Sequence, residues 1–202
     1  PYCASAKLQP VYQARNPRSV VSEIRYWRTV HGVRNFALYD DAFLYRAETH
    51  AIPIIDALIA GGMDIRMHTP NALHIRWITE GVAKRLFRAG FQTIRIGLET
   101  TDAGPERFDE KVTMAEFVRA AANLKAAGFS AEQIGAYILV GLPGQEMNAV
   151  IRAIDAVKKC GIKPVPAYYS PIPGTPLWEQ AAAASRYDLP ADSGVDDLGL
   201  GR

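Results

Sequence analysis

One pattern recurs along this chain and limits what it can fold into: a short apolar run, a loop of polar or glycine residues, then an amphipathic helical stretch. The apolar runs are Asn35 to Tyr39, Asp64 to His68, Thr93 to Leu98, Ile134 to Val140 and Pro164 to Tyr169. Their starts recur about every 29 residues, apart from one longer interval between Thr93 and Ile134 that holds extra residues around Thr101 to Val112. A β/α alternation of this kind predicts parallel strands joined by helical crossovers, in a barrel or a wound open sheet. The runs read as continuous rather than alternating, which predicts strands covered by apolar layers on both faces.

Start and stop signals frame the helices. Asn16 can cap a helix with Pro17 at its first position, and Val20, Val21, Ile24 and Trp27 then share one side. Thr113 and Glu116 have the spacing of a capping box ahead of Phe117, Ala121 and Leu124, and Gly128 ends that helix. Gly61-Gly62, Gly90 and Gly161 stop three others. In either architecture the chemistry gathers at the C-terminal ends of the strands. The polar segments fall there: Tyr39-Asp40-Asp41, His68 to Asn71, Glu99 to Asp102, Gly141 to Glu146 and Tyr168 to Pro171.

Composition narrows the function classes. With 202 residues, 49% of them hydrophobic, the chain fits one domain with a substantial core. We expect that domain to cover residues 1–180 and to be followed by a loosely ordered tail, 181–202. Lysine and arginine number 23 against 21 acidic residues, which gives no footprint of a nucleic-acid binder. No apolar run approaches the roughly 20 residues of a membrane helix, and no signal-peptide layout is present, so the expected location is cytoplasmic. Cys3 and Cys160 are too few for a disulfide framework. Cys160, closing a helical stretch, reads as a small buried thiol. His31, His50 and His74 have no metal-ligand spacing with one another or with either cysteine, which argues against zinc. The 141–146 turn lacks the terminal lysine and hydroxyl residue of a phosphate-binding loop.

Six segments, in order, resemble one family. Tyr2-Cys3-Ala4-Ser5 resembles the end of the three-cysteine motif of radical S-adenosylmethionine enzymes. It is followed by Phe36-Ala-Leu-Tyr-Asp-Asp41, His68-Thr-Pro-Asn71, Arg95-Ile-Gly-Leu-Glu99, Gly141-Leu-Pro-Gly-Gln145 and Ser170-Pro-Ile-Pro-Gly-Thr175. The resemblance runs from Tyr2 to about Trp178 and is nearest to the branch often preceded by a cobalamin-binding domain. It implies an incomplete (β/α)6 TIM-like barrel of six strands, the first of them missing here. On that alignment the second cysteine would immediately precede Pro1, and the chain is expected to be a piece of a longer protein, inactive by itself.

The resemblance also implies cofactors and roles. A 4Fe-4S cluster would take Cys3 as its one remaining ligand in this chain, and S-adenosylmethionine would bind the open iron, with cobalamin as a further possible cofactor. Tyr2 resembles the aromatic near the adenine. Asp40 and Asp41 fall where a polar segment accepts from the methionine ammonium, Glu99 where a carboxylate accepts from the ribose, and Lys111 where a basic residue pairs with the methionine carboxylate. Gly141, Pro143 and Gly144 lie in the turn that meets the adenine through its backbone. Tyr168 and Ser170 end the last strand and stack on adenine or line the substrate side. His68 and Asn71 are candidates for substrate or upper-ligand contact. No catalytic residue is singled out. A reductase or ferredoxin would donate the electron, the substrate is unnamed, and membrane and nucleic acid are not expected partners. Two other readings stand beside this one: an ordinary β/α-barrel enzyme on a phosphate or sugar ligand, with Asp41, Glu99 and His68 as acid and base, and a non-catalytic scaffold barrel.

Overall fold

The computed structural model describes residues 2–40, 42–99 and 113–185, apart from the side chains of Ala6 and Glu99. Five strands form one parallel sheet in sequential order: β1 Asn35–Ala37, β2 Arg66–His68, β3 Phe91–Glu99, β4 Ile134–Val140 and β5 Lys163–Tyr168. Each pairs with the next, so every connection crosses over through a helix, as a partial β/α barrel requires. The helices are α1 Ser5–Leu8, α2 Pro17–His31, α3 Ala51–Gly61, α4 Glu80–Arg88, α5 Met114–Ala126, α6 Met147–Lys159 and α7 Trp178–Ala184.

The boundaries follow from local chemistry. Asn16 caps α2 by accepting from the Arg18 N–H at 2.9 Å, with Pro17 at the first helical position. Thr79 accepts from Val82 at the start of α4. Thr113 and Glu116 form a complete capping box at the start of α5. Gly32 and Gly62 take the left-handed conformation that ends α2 and α3. Ala181 of α7 is buried, and of the expected tail the residues from 186 onward lie outside the described residues.

The core sits between the sheet and the helices. Met67, Ile94, Ile96, Leu98, Ile134, Ala136 and Ile138 point from the strands toward Ile54, Leu86, Phe117, Leu124 and Val157, all essentially inaccessible to solvent. Truncating a fully buried phenylalanine such as Phe117 to alanine costs about 3–5 kcal/mol in cores of this kind.

The opposite face of the sheet corrects one expectation. The strands are not apolar on both sides. Along β3, buried Ile94, Ile96 and Leu98 alternate with partly exposed Thr93, Arg95 and Gly97. The outer strands are more open still: β1 buries none of its residues fully, and neither does β5. A closed barrel fills its interior with branched side chains. This incomplete barrel keeps a concave face of mixed character, in which Asn35, His68, Thr93, Arg95 and Gly135 stand beside Tyr137, Leu139 and Val165.

Candidate functional site

Three elements converge on the rim formed by the C-terminal ends of the strands. The first is the segment from Tyr2 to Arg15. The Lys7 ammonium donates to the Gly174 carbonyl in the loop after β5. The Tyr12 hydroxyl donates to the Tyr45 carbonyl, 3.3 Å away in the loop after β1. The segment carrying Cys3 therefore spans from one edge strand toward the other. The Cys3 thiol is exposed; its Sγ accepts from the Ser5 N–H at 3.4 Å and lies 3.0 Å from Ser5 Oγ.

The second element is the loop after β1. Asp40 Oδ1 accepts from the Ala42 N–H at 2.8 Å, and Oδ2 lies 3.6 Å from Nε2 of His50. His50 is 5% exposed, precedes α3, and stands edge-on to Phe43; its Nδ1 is buried without a partner among the described residues. Burial, and secondly the nearby Asp40 carboxylate, push the Tyr12 phenol above its ordinary pKa. Asp40 is thus held at the rim from two sides. Nothing in the histidine spacing pointed to His50, because its partner lies ten positions away across a loop.

The third element is the turn after β4. Gln145 organises it: its Oε1 accepts from the Gly141 N–H at 2.7 Å and the Leu142 N–H at 3.3 Å, while its Nε2 donates to the Leu139 carbonyl at 2.9 Å. Gly141 has a φ of 87°, and an added Cβ would meet nothing within 4 Å, so the backbone conformation rather than space selects glycine there. A cavity of about 310 Å³ lies against this turn, lined by Gly141, Pro143, Gly144, Tyr169, Pro171 and Ser185 among others. The Tyr169 hydroxyl is buried without a hydrogen-bond partner among the described residues, and burial pushes its pKa up. A larger recess of about 890 Å³ lies between α5 and α6 on the outside of the barrel, away from this rim.

The remaining candidates divide. His68 is tied into the concave face, with Nδ1 2.9 Å from Thr93 Oγ1 and Nε2 3.3 Å from Asn35 Oδ1, so both ring nitrogens are engaged by neighbouring strands. Asn71 is half-buried just beyond β2. Tyr2 is half-buried, Ser170 exposed, and Tyr168 81% exposed. Asp41, Lys111 and the Glu99 side chain lie outside the described residues; the Glu99 backbone ends β3. Cys160 closes α6 at the opposite end of the strands. It is half-buried rather than fully buried, and desolvation raises its pKa while Lys125 works the other way.

The model of the Radical SAM superfamily matches residues 1–157. The chain belongs to that superfamily. The solved structures agree on the fold. A radical S-adenosylmethionine methyltransferase from Kitasatospora setae, TsrM, with cobalamin and a [4Fe-4S] cluster bound, superposes with a TM-score of 0.68 at 19% identity, covering 84% of this chain and 35% of that one. The same enzyme with its tryptophan substrate and an S-adenosylmethionine analogue gives 0.65 at 20% identity, covering 84% and 34%. Coproporphyrinogen III oxidase (HemN) from Escherichia coli, a radical SAM enzyme, gives 0.50 at 15% identity, covering 73% and 35%. The chain spans about a third of the length of these solved relatives. No curated protein sequence matches it. No helix among the described residues is long and apolar enough to cross a membrane.

Proposed function

We infer that this chain is the catalytic core of a cytoplasmic radical S-adenosylmethionine enzyme, and that Cys3, Asp40 and the Gly141–Gln145 turn face its cofactors. The observation that supports this reading most directly is their arrival at one rim of a barrel whose concave face carries Asn35, His68, Thr93 and Arg95. Cys3 suits one ligand position of a 4Fe-4S cluster: it is exposed at that rim, and its sulfur already takes a backbone N–H, a contact that tunes cluster potential. Cys160 does not suit a second, because it closes α6 at the far end of the strands. Among the described residues no group of three His, Cys, Asp or Glu side chains comes together to hold a metal ion. The other two thiolates would be supplied by sequence outside this chain, so no reaction step is assigned to it alone.

When bound, such a cluster supplies an electron, drawn from a ferredoxin or reductase, to the sulfonium of S-adenosylmethionine. The protein groups would bind and orient. Asp40, fixed by Ala42 and flanked by His50, presents a carboxylate to an ammonium. The 141–145 turn and Tyr169 border a recess for a planar group. The similarity to TsrM, which binds cobalamin, favours methyl transfer over other radical chemistries.

The test is anaerobic reconstitution with iron and sulfide of the chain carrying its natural upstream sequence, beside its Cys3→Ala variant. The expected result is four-iron absorption and a reduced-cluster electron paramagnetic resonance signal that S-adenosylmethionine perturbs, both lost in the variant. An unchanged cluster in Cys3→Ala would overturn the assignment.

A further inference from the structure

The concave face carries a charge pattern that cofactor binding does not use. Arg95 on β3 is level with Gly135 on β4, which is level with Lys163 on β5, so the two cations stand one strand apart on the same face. With strands about 4.8 Å apart, their backbones are about 10 Å from each other. Arg66 on β2 stands opposite Asn35, two positions before His68, on this same face. Among the described residues none of the three ion-pairs with a carboxylate. Arg95 is half-buried, Arg66 and Lys163 exposed.

The arginine has been given a place. Its side chain lies flat across Gly135: a Cβ there would stand 3.0 Å from Nη1 and 3.1 Å from Cδ. Its Nη1 donates to the Ile94 carbonyl at 3.1 Å. A guanidinium has five N–H donors and does not deprotonate in proteins, so a half-buried one holding a single neutral acceptor has donors left for an anion.

We propose that Arg95 and Lys163 form the anchor for a substrate oxyanion, a carboxylate or a phosphate, on the concave face below the cofactor rim. The proposal rests on the reading of that face as the substrate chamber. Arg95 lies four positions before Glu99 on the same strand, about 13 Å at 3.3 Å per residue. The substrate is therefore an elongated molecule, with its anionic group about that far from the atoms that react at the rim.

The experiment uses the chain as it stands, without a cluster, so that cluster assembly and anion binding succeed or fail separately. The Arg95 Nε–H resonance is followed by NMR during titration with inorganic phosphate and with succinate, with chloride as the ionic-strength control. A saturable shift with either oxyanion supports the anchor, and the tighter of the two names the group. Arg95→Met should weaken binding about tenfold, as expected for loss of a charge-assisted bidentate contact. Lys163→Met, at an exposed position that leaves the core untouched, should weaken it by roughly threefold and decides the matter if Arg95→Met does not fold. No shift beyond that given by chloride, or equal affinity in the Lys163→Met variant, would overturn the proposal. So would displacement of the oxyanion by free methionine, since the site would then belong to the cofactor.

Discussion

Replacing Gln145 by alanine isolates the device that shapes the turn after β4. The side chain makes three hydrogen bonds, to Gly141 N, Leu142 N and Leu139 O, at 2.7, 3.3 and 2.9 Å. A neutral hydrogen bond contributes about 0.5–1.5 kcal/mol net. The long contact to Leu142 belongs at the bottom of that range, and water can replace the amide at exposed Gly141. The expected loss is about 2 kcal/mol, roughly a 4–8 °C fall in Tm for a domain of this size. Gln145 lies before the first residue of α6, so helix propensity does not enter. Gln145→Glu sharpens the test. Its carboxylate still accepts from both amides but faces the Leu139 carbonyl with no proton to offer. The two backbone N–H groups favour the charged carboxylate and lower its pKa in the folded state, so the stability it restores is present at neutral pH and lost as pH falls through that value. Urea unfolding of the three proteins from pH 2 to pH 8 measures both effects. A loss under about 0.5 kcal/mol for Gln145→Ala, or no pH dependence in Gln145→Glu relative to Gln145→Ala, would refute the account.

Further outcomes follow from other contacts. Gly128 has a φ of 114° and an added Cβ would stand 2.8 Å from the Phe87 ring, so Gly128→Ala should destabilise by about 2 kcal/mol in denaturant melts. Glu116 accepts from the Thr113 N–H and from Arg76, in that order of influence, which lowers its pKa from 4.5 to about 2. The stability it contributes is complete above 4.5 and is lost as pH falls toward 2; Glu116→Gln should unfold at a lower temperature than the parent at neutral pH, and the gap should close in acid. Gly135→Ala would set a methyl 2.9 Å from Val165 and against Arg95, so stability should fall by about 1–2 kcal/mol and the Arg95 Nε–H resonance should move.

The strands, their parallel order and most helix ends were legible because their signals are local: a cap, a glycine, an apolar run. Thr113 and Glu116 are three residues apart, and Asn16 sits beside Pro17. His50 was not legible, since its contact with Asp40 depends on how the loop after β1 folds back. In the sequence Gln145 stands out only as part of a glycine turn, whereas in the structure the amide of Gly141 is already committed to its side chain. The most instructive miss is β3. Thr93-Ile-Arg-Ile-Gly-Leu-Glu99 alternates in plain sight, yet its apolar content made it look like a strand covered on both faces.

That alternation bears on the choice between an active barrel and a scaffold. A barrel that serves only as structure gains stability by filling its interior with branched apolar side chains, and nothing in the folded state would then favour a half-buried guanidinium over leucine or valine. Here Asn35, His68 and Thr93 form a hydrogen-bonded row across three strands, and Arg95 lies over a glycine that has no side chain to displace it. A half-buried charge kept in position by a glycine is costlier than an apolar side chain in an empty barrel and favourable once an anion arrives. The physical chemistry of the concave face therefore argues for a ligand-binding chamber and against a scaffold.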